Sequence, residues 1–192
     1  MLDLLRQLDE NLLLAINGWN SSLADGAMSI VSYRLTWVPL YLFCAWLLVH
    51  RFGLKNGILL TLAVIAAVGA ADYVSHDWIK ASVCRMRPSN PMNPLSESLH
   101  LVDGHRGGRF SFPSNHAANS STVATAMVML LRRRWIMSMM GIWVLLNCYS
   151  RLYMGVHYPS DMLGGIALGI LIGLATAFVS KRYILSSVGH PL

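Results

Sequence analysis

Two histidines and an aspartate carry the chemistry this sequence could perform. His157 is followed four residues later by Asp161. At a helix start that spacing lets the carboxylate accept the ring's Nδ1–H and leaves Nε2 free as a nucleophile. His116 closes the stretch Pro113-Ser114-Asn115-His116, where a loop rich in Arg and Gly gives way to an apolar run. Pro113 suits the turn before a helix or its first turn, and Ser114 or Asn115 can cap that helix. Free backbone N–H groups at such a start favour an anion, and a histidine there can pass a proton to the leaving oxygen of a phosphate ester. Lys80, Arg87 and Arg151 add three cations. Arginine grips phosphate in a bidentate way and lysine supplies a point charge. Taken separately, His157–Asp161 is a capping pair and Pro113–His116 a capped turn; their convergence would make them a phosphoryl-transfer site.

The elements that must position these groups are apolar helices. Of 192 residues, 55% are hydrophobic and 12% charged, about half the charged share of a soluble domain. Mean hydropathy is +0.49. This predicts a single all-α domain over residues 1–192, a polytopic bundle embedded in the membrane. The net charge of +6 is scattered, without the Lys/Arg stripe of a nucleic-acid module. Cys44, Cys84 and Cys148 lack the spacing of a disulfide framework or a zinc site. Asp3, Arg6, Asp9 and Glu10 interrupt the N-terminus too early for a cleavable signal peptide.

Residues 1–18 repeat leucine at helical spacing around Asp9 and Glu10, an amphipathic helix too polar to span and suited to the membrane interface. Residues 19–28 read as a polar link. Five spans come next at about 30–50, 57–79, 112–131, 135–149 and 161–180, with a catalytic loop at 80–115 and a tight turn at 150–160. Gly165, Gly169 and Gly173 form a small-residue stripe for a neighbouring helix. The loops after spans one, three and five hold Arg51, Lys55, Arg132, Arg133, Arg134, Lys181 and Arg182 with no acid. By the positive-inside rule that side is cytoplasmic, so the motif-bearing side faces the periplasm or outside of an inner (cytoplasmic) membrane.

The order Lys80-x6-Arg87-Pro88, Pro113-Ser114-Asn115-His116, Ser150-Arg151-x5-His157-x3-Asp161 resembles the type 2 phosphatidic acid phosphatase superfamily of membrane lipid phosphatases. Its pattern departs at one position, Asn115, where the family usually has glycine; Asn tolerates left-handed backbone better than most residues. The resemblance implies a phosphohistidine on His157, oriented by Asp161. His116 would be the acid and then the base that activates water. Lys80, Arg87, Ser114 and Arg151 would hold phosphate, with backbone N–H groups near Asn115 and His116. No metal and no other cofactor is implied. The substrate expected is a lipid phosphate or diphosphate, foremost lipid A or undecaprenyl diphosphate. Phosphatidylglycerophosphate and transfer to an acceptor other than water are the alternatives within the family, and a non-enzymatic anion transporter is the alternative outside it.

Other polar residues have blander readings. Arg34 and Arg132–Arg134 read as interfacial anchors, and His50, His100 and His190 as ordinary interface or loop residues. His76 and Asp77 read as supporting partners one turn before Lys80. His105, Arg106 and Arg109, set between glycines, either hold a second anionic group of the substrate or belong to a solvated loop.

Overall fold

The computed structural model describes residues 2–185; His190 lies outside them. It is all-α, as expected, and no strand forms among the described residues. Helix α1 (Leu2–Asn17) is amphipathic: Leu4, Leu5, Leu8 and Leu12 are exposed, while Asp9, Leu13 and Asn17 are buried. Asn17 donates to the His100 and Tyr153 carbonyls and accepts from the His100 N–H, which pins the end of the helix.

The expected polar link and the first span need correction. Residues Ser22–Ser32 form a separate helix, α2, capped by Ser21, whose hydroxyl accepts from the Ala24 N–H. Tyr33 is extended and breaks the chain, a 3-10 turn occupies Arg34–Trp37, and α3 runs over Val38–Phe52. Trp37 Nε1 and Thr36 Oγ1 donate back to the Val31 and Ile30 carbonyls, so this corner satisfies its own backbone.

The second span is longer than its hydropathy implied. Helix α4 (Leu54–Tyr73) passes through a π-helical turn (Val74–Ile79) into α5 (Lys80–Val83) as one 30-residue rod. Lys80 is therefore helical and not in a loop. The rod ends at Cys84, which adopts the left-handed conformation, and the loop spans 84–114. The π turn adds a residue to the helical repeat and re-aims the side chains of α5.

Helix α6 covers Asn115–Leu131, with Ser114 as its cap. Helix α7 covers Arg134–Tyr153, running past the expected end at Tyr149, so Ser150 and Arg151 lie on it. Asn147 and Ser150 return their side chains to carbonyls of the same helix, which keeps these polar residues compatible with helix. The turn shrinks to Met154–Tyr158 before α8 (Pro159–Ser180). Among the described residues, three segments are long and apolar enough to cross a membrane: Arg34–Phe52, Leu54–Val83 and Pro159–Leu185. Helix α6 has 17 residues, and most of them are buried among α4, α7 and α8.

The glycine stripe works as expected. A Cβ on Gly165, Gly169 or Gly173 would lie 2.5, 2.3 or 2.8 Å from the carbonyl oxygens of Ser114, Ala118 or Thr122. Helices α6 and α8 thus approach backbone to backbone, and their N-terminal ends, carrying His116 and Asp161, are fixed beside each other.

Candidate active site

The end of α5, the start of α6, the end of α7 and the start of α8 meet at one end of the bundle. There α5, α6, α7 and the loops beside them line a cavity of about 1190 Å³ whose walls include Lys80, Arg87, His116, Arg151 and His157. The three motifs, drawn from residues 80 to 161, converge on it.

His157 is almost completely buried, and its two ring nitrogens have different partners. Nδ1 lies 3.3 Å from Asp161 Oδ2, while Nε2 lies 3.0 Å from Arg87 Nη1. A guanidinium can only donate, so Nε2 is the acceptor and Nδ1 carries the proton toward the carboxylate. Burial, then the charges of Arg87, Arg151 and Lys80, push the His157 imidazole well below its ordinary range and keep it neutral. Asp161 is fully buried and accepts from four donors: the Tyr158 N–H at 2.8 Å, Arg85 Nη1 at 2.9 Å, Ser111 Oγ at 3.4 Å and His157. Proline at the first position of α8 and Asp161 in its first turn account locally for this capped start.

The cations are individually seated. Arg87 also donates to the Val156 carbonyl at 2.9 Å. Gly107, at φ +70°, passes over it so closely that a Cβ would lie 2.9 Å from Nη1. Lys80 Nζ donates to the Pro113 carbonyl at 2.7 Å and to Asn115 Oδ1. Arg151 donates to Ser32 Oγ, from the end of α2. The Nε atoms of Arg87 and Arg151 are buried without an acceptor among the described residues, so both guanidiniums retain unused donor capacity.

Ser114 is buried. Its N–H donates to the Asp161 carbonyl at 3.0 Å, and its hydroxyl caps α6 by accepting from Ala117. Asn115 is part of a network: its amide donates to Asp72 Oδ1 at 2.7 Å while its oxygen takes Lys80 and the Ser75 hydroxyl. A glycine could not make this link from α4 to Lys80. His116 lines the cavity with its ring hydrogen-bonded to the Ser32 backbone.

Of the three loop residues, His105 and Arg109 line the cavity, and burial with the nearby Arg151 and Arg87 lowers the His105 pKa. Arg106 does not line it; its Nη1 donates to the Ser89 carbonyl and the Ser96 hydroxyl and holds the loop together. Arg34 is at the cavity wall and not simply an anchor, and His76 and Asp77 are exposed on the rim. His100 pairs with Asp25 at 2.9 Å and ties α2 down. No three His, Cys, Asp or Glu side chains converge as metal donors among the described residues.

Sequence reasoning missed Arg85, Asp9 and Ser32. Arg85 shares the loop with Arg87 and carries no distinguishing local signal. It also missed a second cavity of about 610 Å³ between α3, α4, α6 and α7. That cleft is largely apolar, with Trp37, Tyr41, Val64, Met127 and Trp143 in its walls. It meets the polar cavity at Ser32, Arg34, Asn115 and His116, which line both.

Comparisons with known proteins give the chain a family. The family model described as PAP2 superfamily matches residues 56–184. A lipid A 4'-phosphatase from Bacteroides thetaiotaomicron is 36% identical over 182 residues, covering 95% of this chain and 81% of the relative. The undecaprenyl-diphosphatase BcrC from Bacillus subtilis is 29% identical over 154 residues, covering 80% and 73%. The crystal structure of a transmembrane PAP2-type phosphatidylglycerolphosphate phosphatase from Bacillus subtilis superposes with a TM-score of 0.70 at 21% identity, covering 93% of this chain and 87% of that one. This chain belongs to the PAP2 superfamily and is a membrane-embedded phosphatase.

Proposed function

We propose that the protein removes phosphate from a lipid A-type phosphate, a phosphorylated glucosamine headgroup carrying several acyl chains. The observation that carries this reading is the junction of the two cavities. A cation-lined chamber far larger than a phosphate ion shares the walls Ser32, Arg34, Asn115 and His116 with a largely apolar cleft inside the helix bundle. A phosphate attached to a bulky headgroup and to hydrocarbon fits that pair of spaces. The similarity to the lipid A 4'-phosphatase, in identity and in coverage of both chains, favours this headgroup. The weaker similarity to the undecaprenyl-diphosphatase supports a prenyl diphosphate as the second reading.

In the reaction, Lys80, Arg87 and Arg151 hold the phosphoryl oxygens together with backbone N–H groups at the start of α6. With Arg87 Nη1 turned from Nε2 to a phosphoryl oxygen, Nε2 of His157 attacks phosphorus, and the bond from phosphorus to the lipid oxygen breaks. His116 gives its proton to that oxygen as it leaves. Water then surrenders a proton to His116 and attacks phosphorus, the N–P bond breaks, and inorganic phosphate departs from a restored His157. Asp161 keeps the Nδ1–H tautomer throughout. The chemistry uses this chain's own cations and needs no metal. Interception of the phosphohistidine by an alcohol instead of water would make the protein a phosphotransferase. His105 and Arg109 contact the headgroup, while Arg106 serves the loop.

The site faces the periplasm or outside, with α3, α4, α6, α7 and α8 as the five spans and α1 in the interface. The acid-free set of cations at the opposite end supports this orientation. Purified protein in detergent, given lipid A, undecaprenyl diphosphate and phosphatidylglycerophosphate, should release phosphate fastest from lipid A. Release from none of them overturns the reading, and a preference for undecaprenyl diphosphate selects the second. With the native cysteines removed, a cysteine at position 106 should react with an impermeant thiol reagent in intact spheroplasts, and one at position 133 should not. The reverse pattern inverts the orientation.

A further inference from the structure

The first helix, the loop before the second motif residue and the start of the last helix share one buried ionic cluster. Arg85 Nη1 donates to Asp161 Oδ1 at 2.9 Å and to Ser160 Oγ at 2.6 Å, and Nη2 donates to Asp9 Oδ2 at 2.5 Å. Asp9 also accepts from the Ser160 N–H at 2.8 Å and from its hydroxyl at 2.5 Å. The Asp9 side chain is 8% exposed and that of Asp161 is fully buried. The guanidinium lies 3.9 Å over the Tyr158 ring, so it is held by stacking as well as by charge. One cation therefore bridges two buried carboxylates, contributed by α1 and α8.

We propose that Arg85 and Asp9 are positioning residues for the His157–Asp161 dyad, a clamp through which α1 holds the orienting carboxylate of the reaction. The inference rests on the roles proposed above for His157 and Asp161. Arg85 approaches Asp161 from the side opposite His157: it takes Oδ1, and the ring faces Oδ2. It fixes the carboxylate's rotation and, as a permanent cation, keeps it an acceptor toward the Nδ1–H. The other charges acting on Asp161 are Lys80 and Arg87, which serve the phosphate, and Asp9, which opposes them. Without Arg85, the two buried carboxylates of Asp9 and Asp161 are left with no cation between them. One must take a proton or turn away, and if it is Asp161 the histidine loses its orientation. Without Asp9 as well, that conflict disappears.

The cluster therefore makes a charge-balance prediction that a merely structural clamp does not. Loss of a group that orients a catalytic histidine reduces turnover by orders of magnitude; disturbing the orienting group through Arg85→Gln should lower kcat about 30-fold. KM and the inhibition constant of inorganic phosphate should stay within about threefold of the parent, because Arg85 touches no phosphate-binding side chain. Adding Asp9→Asn should restore kcat about tenfold over Arg85→Gln alone. In Arg85→Lys, whose single ammonium cannot bridge both acids, Asp9→Asn should raise kcat about threefold by releasing the cation to Asp161. This second pair carries the test if Arg85→Gln does not elute as folded protein from detergent. A double variant no faster than its Arg85 parent, beside an inactive His157→Ala, overturns the clamp alone. Turnover by His157→Ala at the parent rate overturns the dyad and the clamp with it.

Discussion

The two sides of helix α6 are built in opposite ways. Toward α8 it meets a stripe of glycines at backbone contact, and that seam ends where Ser114 donates to the Asp161 carbonyl. Toward α3 and α4 it faces a cleft of about 610 Å³ with aromatic and aliphatic walls. Gly69, in the cleft wall on α4, has nothing within 4 Å of where a Cβ would be, whereas Gly169 in the seam would place one 2.3 Å from the Ala118 carbonyl oxygen. The seam is incompressible and sets the relative placement of the candidate catalytic ends, where a displacement of 1 Å would cost about 100-fold in rate. The cleft can admit hydrocarbon without disturbing them. A lipid-processing enzyme needs both, one wall that cannot move and one that can be filled.

The largest effect should come from the group held at the end of the seam. His157→Ala should reduce phosphate release by more than about 1000-fold, as expected for loss of a covalent nucleophile. Its elution profile and helical circular dichroism should be those of the parent, since its removal breaks one hydrogen bond to Asp161 and leaves three others. Near-normal release would remove the reason for the seam's rigidity.

Next is the contrast between the two glycines. Gly169→Leu must part α6 from α8 and should cost about 3 kcal/mol, seen as a lower melting temperature in detergent with matching loss of activity. Gly69→Ala should change neither measurement beyond error. If the two variants behave alike, the comparison between seam and cleft fails.

Filling the cleft should act on binding alone. Ala45→Phe projects into it and should raise KM for a long-chain lipid phosphate about tenfold, with kcat and the hydrolysis of a short-chain soluble ester unchanged. A fall in kcat for both substrates would place the chain elsewhere.

The smallest effects expected are no effects. Burial holds the His157 pKa well below its ordinary 6.5. The neutral, nucleophilic ring is the form present above that depressed pKa, so lowering the pH through 6.5 should not reduce the rate of phosphoenzyme formation through protonation of His157. Rapid-quench measurement of the burst checks this, and a burst that titrates at the ordinary histidine pKa would contradict the burial argument. EDTA should leave steady-state turnover unchanged; inactivation reversed by one divalent metal would show that the cations of the site do not suffice.

Much of the site and its scaffold was legible because it is local. The spacing of His157 and Asp161 fits one turn of chain at a helix start, and the glycine period of four fits one face of a helix. The low charge content required membrane helices to absorb the hydrophobic surface. Local patterning also explains the errors. Hydropathy ends a span where polar residues begin, yet Lys80 and Arg151 remain helical, because a helix satisfies its backbone whatever its side chains do until a break such as Cys84 or Gly155. The polar residues 19–28 read as a link, but the Ser21 cap starts a helix there.

The candidate reacting groups, the all-helical class and the charge asymmetry of the two ends were determined by the sequence alone. The tertiary structure decided which further residues reach those groups. Asp9 meets Ser160 across 151 positions, Asp72 meets Asn115 across 43, and Arg151 meets Ser32 across 119. None of these pairs has a period or a motif, since their meeting depends on how closely α6 and α8 pack and on where α1 and α2 lie against them. The cleft is likewise a space between helices, written in no single segment of the chain.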